Sequence, residues 1–325
     1  MSTNAFNPNG AEYIRSLIAE AVGNGSRTAT VTGDHIISEA VRIPSCFTLI
    51  LENCHLRQAD GCFDNIFVNE HHGTELGRTP EGTDRSISII GKGEAILDGG
   101  EYNGLSCRNQ RWWALNFIYC ANGYIGNIDF LACDIAIDRS GNAYHGFIRS
   151  RYDEVLIKNA DGIDLRQGCH DIVIENITGF TEDDTIALTG LNGRLEQTFS
   201  VDGLPSDICN VTVRNIRSAA FCTIVRLLNQ GDVALHDITI DGVYDSSDGL
   251  RYFDKSLYAV RVGDTRLYGT RPATKEETYN ITIKNVFARN EYAVSLAGDM
   301  NNLVMYGIEC ADGCKMLLDE RTSGK

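Results

Sequence analysis

The chain is poor in the features that would divide it or embed it. Its 325 residues include only 5 prolines and no low-complexity tract, so no domain boundary is expected and residues 1–325 are read as one domain. No run approaches eighteen consecutive apolar residues, which leaves no candidate transmembrane helix and no membrane partner. The opening stretch "MSTNAFNPNGAEYIRSLIAEAVGNG" has neither a basic n-region nor an unbroken apolar core, so no secretory signal is expected. Basic residues are scarce: 29 Lys and Arg stand against 44 Asp and Glu, a net charge of −15. That balance argues against a nucleic-acid partner, which needs a basic face. It also disfavours a long polyanionic substrate unless arginines gather in a cleft. The 11 cysteines are odd in number and spread through apparent strands, the pattern of reduced, mostly buried thiols in a cytoplasmic protein. Cys310-x-x-x-Cys314 has no partner pair at zinc-site spacing, and His71-His72 has no further ligands that the sequence places beside it. There is no phosphate-cradling glycine loop and no Gly-x-Ser-x-Gly elbow.

What is present is a repeat. The line "VLIKN" (155–159) recurs as "IVIEN" (172–176), "VTVRN" (211–215), "ITIDG" (238–242), "ITIKN" (281–285) and "LVMYG" (303–307). Apolar residues alternate and Asn or Gly follows, which is strand periodicity ending in a turn residue. Earlier relatives are "FTLILEN" (47–53), "ISIIGKG" (87–93) and "YIGNIDF" (124–130). Each later copy is followed by a second short strand: "GIDL" (162–165), "TIAL" (185–188), "IVRL" (224–227), "AVRV" (259–262), "AVSL" (293–296) and "KMLL" (315–318). Spacing between copies runs from 17 to 43 residues, with insertions at 191–207, 244–257 and 264–280. Short stacked strands with loops predict an all-β protein, a single-stranded right-handed parallel β-helix. Asn159, Asn176 and Asn215 form one column whose amides can bond along the stack. Residues 11–22 place Ile14, Leu17, Ile18 and Ala21 at helical spacing, which predicts a short α-helix capping the N-terminal end.

Aligning the second strands gives two inward columns, Ile163, Ile186, Val225, Val260, Val294 and Leu165, Leu188, Leu227, Val262, Leu296. Between them an outward column reads Asp164, Ala187, Arg226, Arg261, Ser295. Arg226 and Arg261 are therefore expected as neighbours on an exposed sheet, either bracing aspartates or binding ligand. Asp161 aligns with Asp184, and Asp183 stands one residue earlier. Strict alternation would bury Asp161 and Asp184, and an unpaired buried carboxylate is costly, so the chain is expected still to be turning there with all three facing solvent. Stacking gathers the three carboxyls within one turn of the helix. Like charges that close raise one pKa, leaving one protonated and one ionised carboxyl, the requirement for cleaving a glycosidic bond.

These segments resemble the pectin lyase-like superfamily, and within it the polygalacturonases, glycoside hydrolase family 28. "NADGIDL" resembles that family's Asn-Thr-Asp-Gly motif, "EDDTIAL" its Asp-Asp motif, and "YAVRVGD" the turn carrying Arg-Ile-Lys. The resemblance implies metal-independent, inverting hydrolysis with no cofactor: Asp183 as the acid that protonates the leaving oxygen, Asp161 and Asp184 activating water, and Arg261 contacting the sugar. The family's Gly-His-Gly falls where this chain has Cys222 and Thr223, and its lysine falls on Gly263. Both departures bear on uronic-acid recognition and point to a non-galacturonate or modified sugar, with Arg226 supplying charge.

His145 and Arg149, with Tyr144 and Arg151, are further candidates to line the groove and bind an oligosaccharide. Tyr252, Phe253, Arg266, Tyr268 and Arg271 on the insertions suit either cleft walls or contacts between copies, so homo-oligomerisation stays open. Two other functions compete: another carbohydrate-active β-helix enzyme (epimerase, lyase or transglycosylase), and a non-catalytic carbohydrate-binding β-helix.

Overall fold

Alternating apolar residues and left-handed turn positions fold the chain into two long parallel sheets. The computed structural model describes residues 5–59, 62, 64–72, 74–99, 111–117, 120–121, 124–131, 159–181, 183–190, 204–220, 222–230, 233–247, 256–264 and 271–321. Strands alternate between the sheets along the chain, except that the short strands Asp84–Arg85 and Cys120–Ala121 each precede another strand of the first sheet, and the neighbours in each sheet are parallel. The first sheet has eleven strands and includes Thr28–Ile37, Phe47–Gln58, His170–Thr181, Ile208–Ala220, Leu235–Asp245, Thr278–Ala288 and Asn301–Cys310. The second has nine and includes Arg111–Phe117, Asn159–Leu165, Ile186–Gly190, Thr223–Asn229, Tyr258–Val262, Tyr292–Ala297 and Lys315–Glu320. This is the expected right-handed parallel β-helix.

The predicted inward columns are in register. Ile163 pairs Ile186, which pairs Val225, then Val260, then Val294, and the leucine column follows in step. Every member of both columns is at most 1% exposed. The α-helix spans Gly10–Gly23 and buries Ala11, Ile14, Ile18 and Ala21 against the first strands of both sheets, Thr28–Ile37 and Val41–Ile43, so it caps the core. At the other end Leu303, Met305 and Ile308 are only partly buried, and Val304, Tyr306 and Met316 are exposed.

Three sequence expectations need correction. "VLIKN" is not a copy of "IVIEN": Asn159 opens a second-sheet strand and pairs Arg111, while Ile174 stacks on Ile125. The 17-residue spacing joined strands of different sheets, which short apolar runs cannot distinguish. Asn159 therefore leaves the asparagine column. Its members are Asn176, Asn215, Gly242, Asn285 and Gly307, all with φ between 53° and 82°. A left-handed residue bends each first-sheet strand, and Asn and Gly tolerate it best. The amides do bond along the stack: Asn215 donates to Asn176, and Asn285 donates to Asp241 at 2.7 Å. Lastly, two of the expected insertions, 244–257 and 264–280, overlap strands at one end, because one strand continues to Asp245 and another begins at Thr278.

Candidate active site

Asp161, Asp183 and Asp184 converge where two successive turns enter the second sheet, but they do not all face water. Asp161 lies within the strand Asn159–Leu165, and both Asp161 and Asp184 are 5% exposed. The expectation that both face solvent therefore fails, and so does that of a turn at Asp161, whereas Asp184 does precede its strand, Ile186–Gly190. Their burial is tolerated because each carboxylate takes a backbone donor from the next turn. The amide of Asp184 donates to Asp161 Oδ1 at 2.9 Å, and the amide of Thr223 donates to Asp184 Oδ1 at 2.9 Å. The two side chains thus stitch three turns of the helix together. Asp183 alone is half-buried. Its carbonyl accepts from Thr181 Oγ1 at 3.1 Å, and Thr181 continues a hydroxyl chain through Thr185 to Ser218 that sets the turn.

Burial dominates the titration of the inner pair. Desolvation, then the charges of Asp183 and Asp184, pushes Asp161 well above the ordinary carboxylate range. Asp184 is pushed up to about 7 by desolvation, with Arg226 opposing and Asp183 adding to the rise. A carboxyl that titrates near neutrality beside a more accessible one is the electrostatic pattern of acid–base sites.

The arginine column stands in the predicted register, Asp164 against Ala187, then Arg226, Arg261 and Ser295. The sheet face it occupies is closed rather than exposed: Asp164 and Ser295 are 0% exposed, Ala187 2% and Arg226 8%. Nor are the arginines unpaired. Asp264 accepts from Arg226 on one oxygen and from Arg261 on the other, the latter at 3.2 Å. Arg226 also lies 3.7 Å from Asp184, and the Arg261 guanidinium sits 5.1 Å from the centre of the Tyr258 ring. Asp164 pairs with Arg166, and both are buried. Asp264 and Arg166 were missed in the sequence, although buried arginines demand carboxylates and "RVGD" offers one three residues on.

Gly263 explains why no lysine stands at its position. Its φ is 77°, and a Cβ there would lie 1.7 Å from the Ala297 carbonyl oxygen. Its amide donates to the Leu227 carbonyl at 2.8 Å. The turn at this glycine returns Asp264 to the arginines.

Cys222 completes the cluster. Its sulfur and the carboxylate oxygens of Asp183 and Asp184 lie within 4.8 Å of one another, a donor set that could hold a metal. Among the described residues the other such group is Glu70, His71 and Asp84. There Asp84 already accepts from Ser45, Asn69 and both the ring and amide of His71, at 2.7–3.0 Å, so it serves as a loop brace. Arg271 likewise braces its own loop through two bonds to Glu277. His145, Arg149, Tyr144, Arg151, Tyr252, Phe253, Arg266 and Tyr268 lie outside the described residues.

No protein-family model and no curated protein sequence matches this chain. Solved structures do. PfbA, a surface adhesin of Streptococcus pneumoniae, superposes with a TM-score of 0.55 at 12% identity, over 100% of this chain and 78% of that one. A mutant tailspike protein of E. coli bacteriophage HK620, in complex with a hexasaccharide, gives 0.45 at 13% identity, over 98% of this chain and 63% of that one. Endo-xylogalacturonan hydrolase from Aspergillus tubingensis gives 0.43 at 11% identity, over 97% and 93%. This chain thus spans less than two thirds of the tailspike. At such identities the likeness is one of fold, and the fold is a right-handed parallel β-helix.

Proposed function

We propose that this protein is a polygalacturonase-like enzyme that hydrolyses O-glycosidic bonds in an oligosaccharide, with the aspartate cluster as its catalytic apparatus. The observation that carries the reading is the convergence of half-buried Asp183 with buried Asp161 and Asp184 at the entry to the second sheet. Asp183 donates its proton to the leaving oxygen. Asp184, with Asp161 behind it, takes the proton of the attacking water, and the anomeric carbon inverts. Arg261, stacked on Tyr258 and partly exposed, contacts the sugar at the point of cleavage. A reducing, cytoplasmic setting is part of the proposal, in keeping with the free thiols of Cys46, Cys54, Cys62, Cys169, Cys209, Cys222, Cys310 and Cys314.

The substrate is a neutral sugar. Arg166, Arg226 and Arg261 already face Asp164, Asp184 and Asp264, so the arginine charge is spent inside the protein. A uronic acid would add a carboxylate to a site that already holds five aspartates against three arginines. Lysine, which would restore a positive charge, is excluded at Gly263 by the backbone.

One observation favours a second reading. Asp183 and Asp184 offer oxygens within 4.8 Å, closer than the roughly 6.5–9.5 Å usual for inverting pairs and nearer the roughly 5 Å of retaining ones. In that reading Asp184 attacks the anomeric carbon, and transfer to a second sugar competes with hydrolysis. Proton NMR of the first-formed anomer from a library of defined neutral oligosaccharides decides between them. Inversion is the expected result; retention would replace the water mechanism with the covalent one, and binding without turnover would leave a carbohydrate-binding β-helix. A chelator tests the metal-independent chemistry: full activity after exhaustive dialysis against EDTA is expected, and loss restored by a divalent ion would make Asp183, Asp184 and Cys222 ligands.

A further inference from the structure

We propose that Cys222 is a positioning residue for Asp183: its thiol donates to one carboxyl oxygen of Asp183 and so places the acid's proton on the other. The inference rests on the hydrolase reading for its catalytic meaning, but its geometry stands apart from any substrate.

Cys222 is held firmly for a residue in a turn. Its carbonyl accepts from the amides of Leu257 and Tyr258 in the next turn of the helix, at 2.9 and 3.3 Å. Its neighbour Thr223 is tied through its amide to Asp184. The peptide group that follows Cys222 is therefore held through both its carbonyl and its amide, and the sulfur lies beside the carboxylates of Asp183 and Asp184. Sulfur and an oxygen of each carboxylate lie within 4.8 Å of one another, which puts the thiol beside Asp183 for the proposed bond.

The direction of that bond follows from charge. Burial, then the nearby carboxylates of Asp183 and Asp184, pushes the thiol well above its ordinary range. It stays protonated at neutral pH, so it is neither a nucleophile nor an anion. A neutral thiol facing a carboxyl acts as a donor, and the oxygen it touches is an acceptor. When Asp183 carries a proton, that proton sits on its second oxygen, ready to pass to the leaving oxygen. When Asp183 has released it, the same S–H bond stabilises the carboxylate left behind. A structural cysteine filling an apolar gap would do neither, and Cys222 is only half-buried.

The test compares Cys222→Ser and Cys222→Ala with the parent. Aspartate carboxyl carbons are titrated by NMR, with the Asp183 signal assigned through Asp183→Asn, and kcat and KM are measured against pH. Ser keeps a donor and Ala removes it. The expected result is an upward shift of roughly half a unit or more in the Asp183 titration for Ala. Its kcat falls about tenfold with KM little changed, and Ser restores most of both. Equal titrations of Asp183 in the parent and the Ala variant would overturn the proposal, as would Ser and Ala behaving alike. The titration needs no substrate. A shifted Asp183 in a protein that cleaves no glycoside would therefore refute the hydrolase reading while leaving the thiol's hold on Asp183 established.

Discussion

The two sheets share one repeat and differ in what lies outside them. In the first, Leu235–Asp245 alternates between buried residues and partly or fully exposed ones, with its outward side chains in water. In the second, Ile186–Gly190 and Thr223–Asn229 are buried at every residue. Alternation builds a wall; its loss, with Asp164 and Arg226 still pointing outward, marks a closed polar interior. Buried ionic groups seldom stabilise a fold over apolar ones of similar size. On the proposed reading, a β-helix that concentrates Asp161, Asp164, Asp184, Arg166, Arg226 and Asp264 on one sheet gives up stability for chemistry.

Breaking an ion pair separates the sheets most sharply. Asp264→Ala leaves Arg226 and Arg261 without their shared carboxylate and is expected to destabilise by about 3–5 kcal/mol in urea unfolding. Asp241→Ala in the first sheet removes the partner of Lys284, a more exposed pair at 3.1 Å, and is expected to lose no more than about 1 kcal/mol. Similar losses at both positions would erase the distinction. Gly263→Ala comes next, at about 3 kcal/mol, because the left-handed conformation and the Ala297 carbonyl both oppose a Cβ. Asn215→Ala, also left-handed but in the first sheet with open surroundings, is expected to lose about 1–2 kcal/mol, and Asn215→Gly less than that.

Acid–base behaviour sharpens the same contrast. Asp184 has its folded pKa raised above the unfolded value of 3.8, so its protonated form is the one the fold favours. That stabilising contribution is full below about 4 and is lost as pH rises through about 7. Asp184→Asn should therefore unfold at higher urea than the parent at pH 8, with the advantage vanishing toward pH 4. On the first sheet the sign reverses. Asp241 is held below the usual carboxylate range, chiefly by the hydrogen bond from Asn285, so the Asn variant there should gain nothing at pH 8. Under the proposed mechanism the same titration sets an acidic limb: kcat/KM is expected to fall about tenfold per unit as pH drops below about 7, because Asp184 must be ionised to take the proton of water.

Much of the second sheet was legible because its inward columns repeat Ile or Val and then Leu or Val at fixed offsets, and side-chain alternation fixes which residues face out. Asp161, Asp183 and Asp184 stood out for the same reason. Their burial did not, because it depends on the amides of Asp184 and Thr223 arriving from the following turns. Asp264 was hidden behind Gly263, whose left-handed turn no periodicity announces. Asn159 was misassigned because an apolar run ending in asparagine reads alike in either sheet.

The account turns on Asp183 as the proton donor of a catalytic cluster, and Asp183→Asn tests that most directly. Its initial rate on neutral oligosaccharides cleaved by the parent, measured by product NMR with folding stability measured alongside, should fall by about 10²–10⁴-fold while stability changes by less than about 1 kcal/mol. Cleavage at the parent's rate by the folded variant would contradict it.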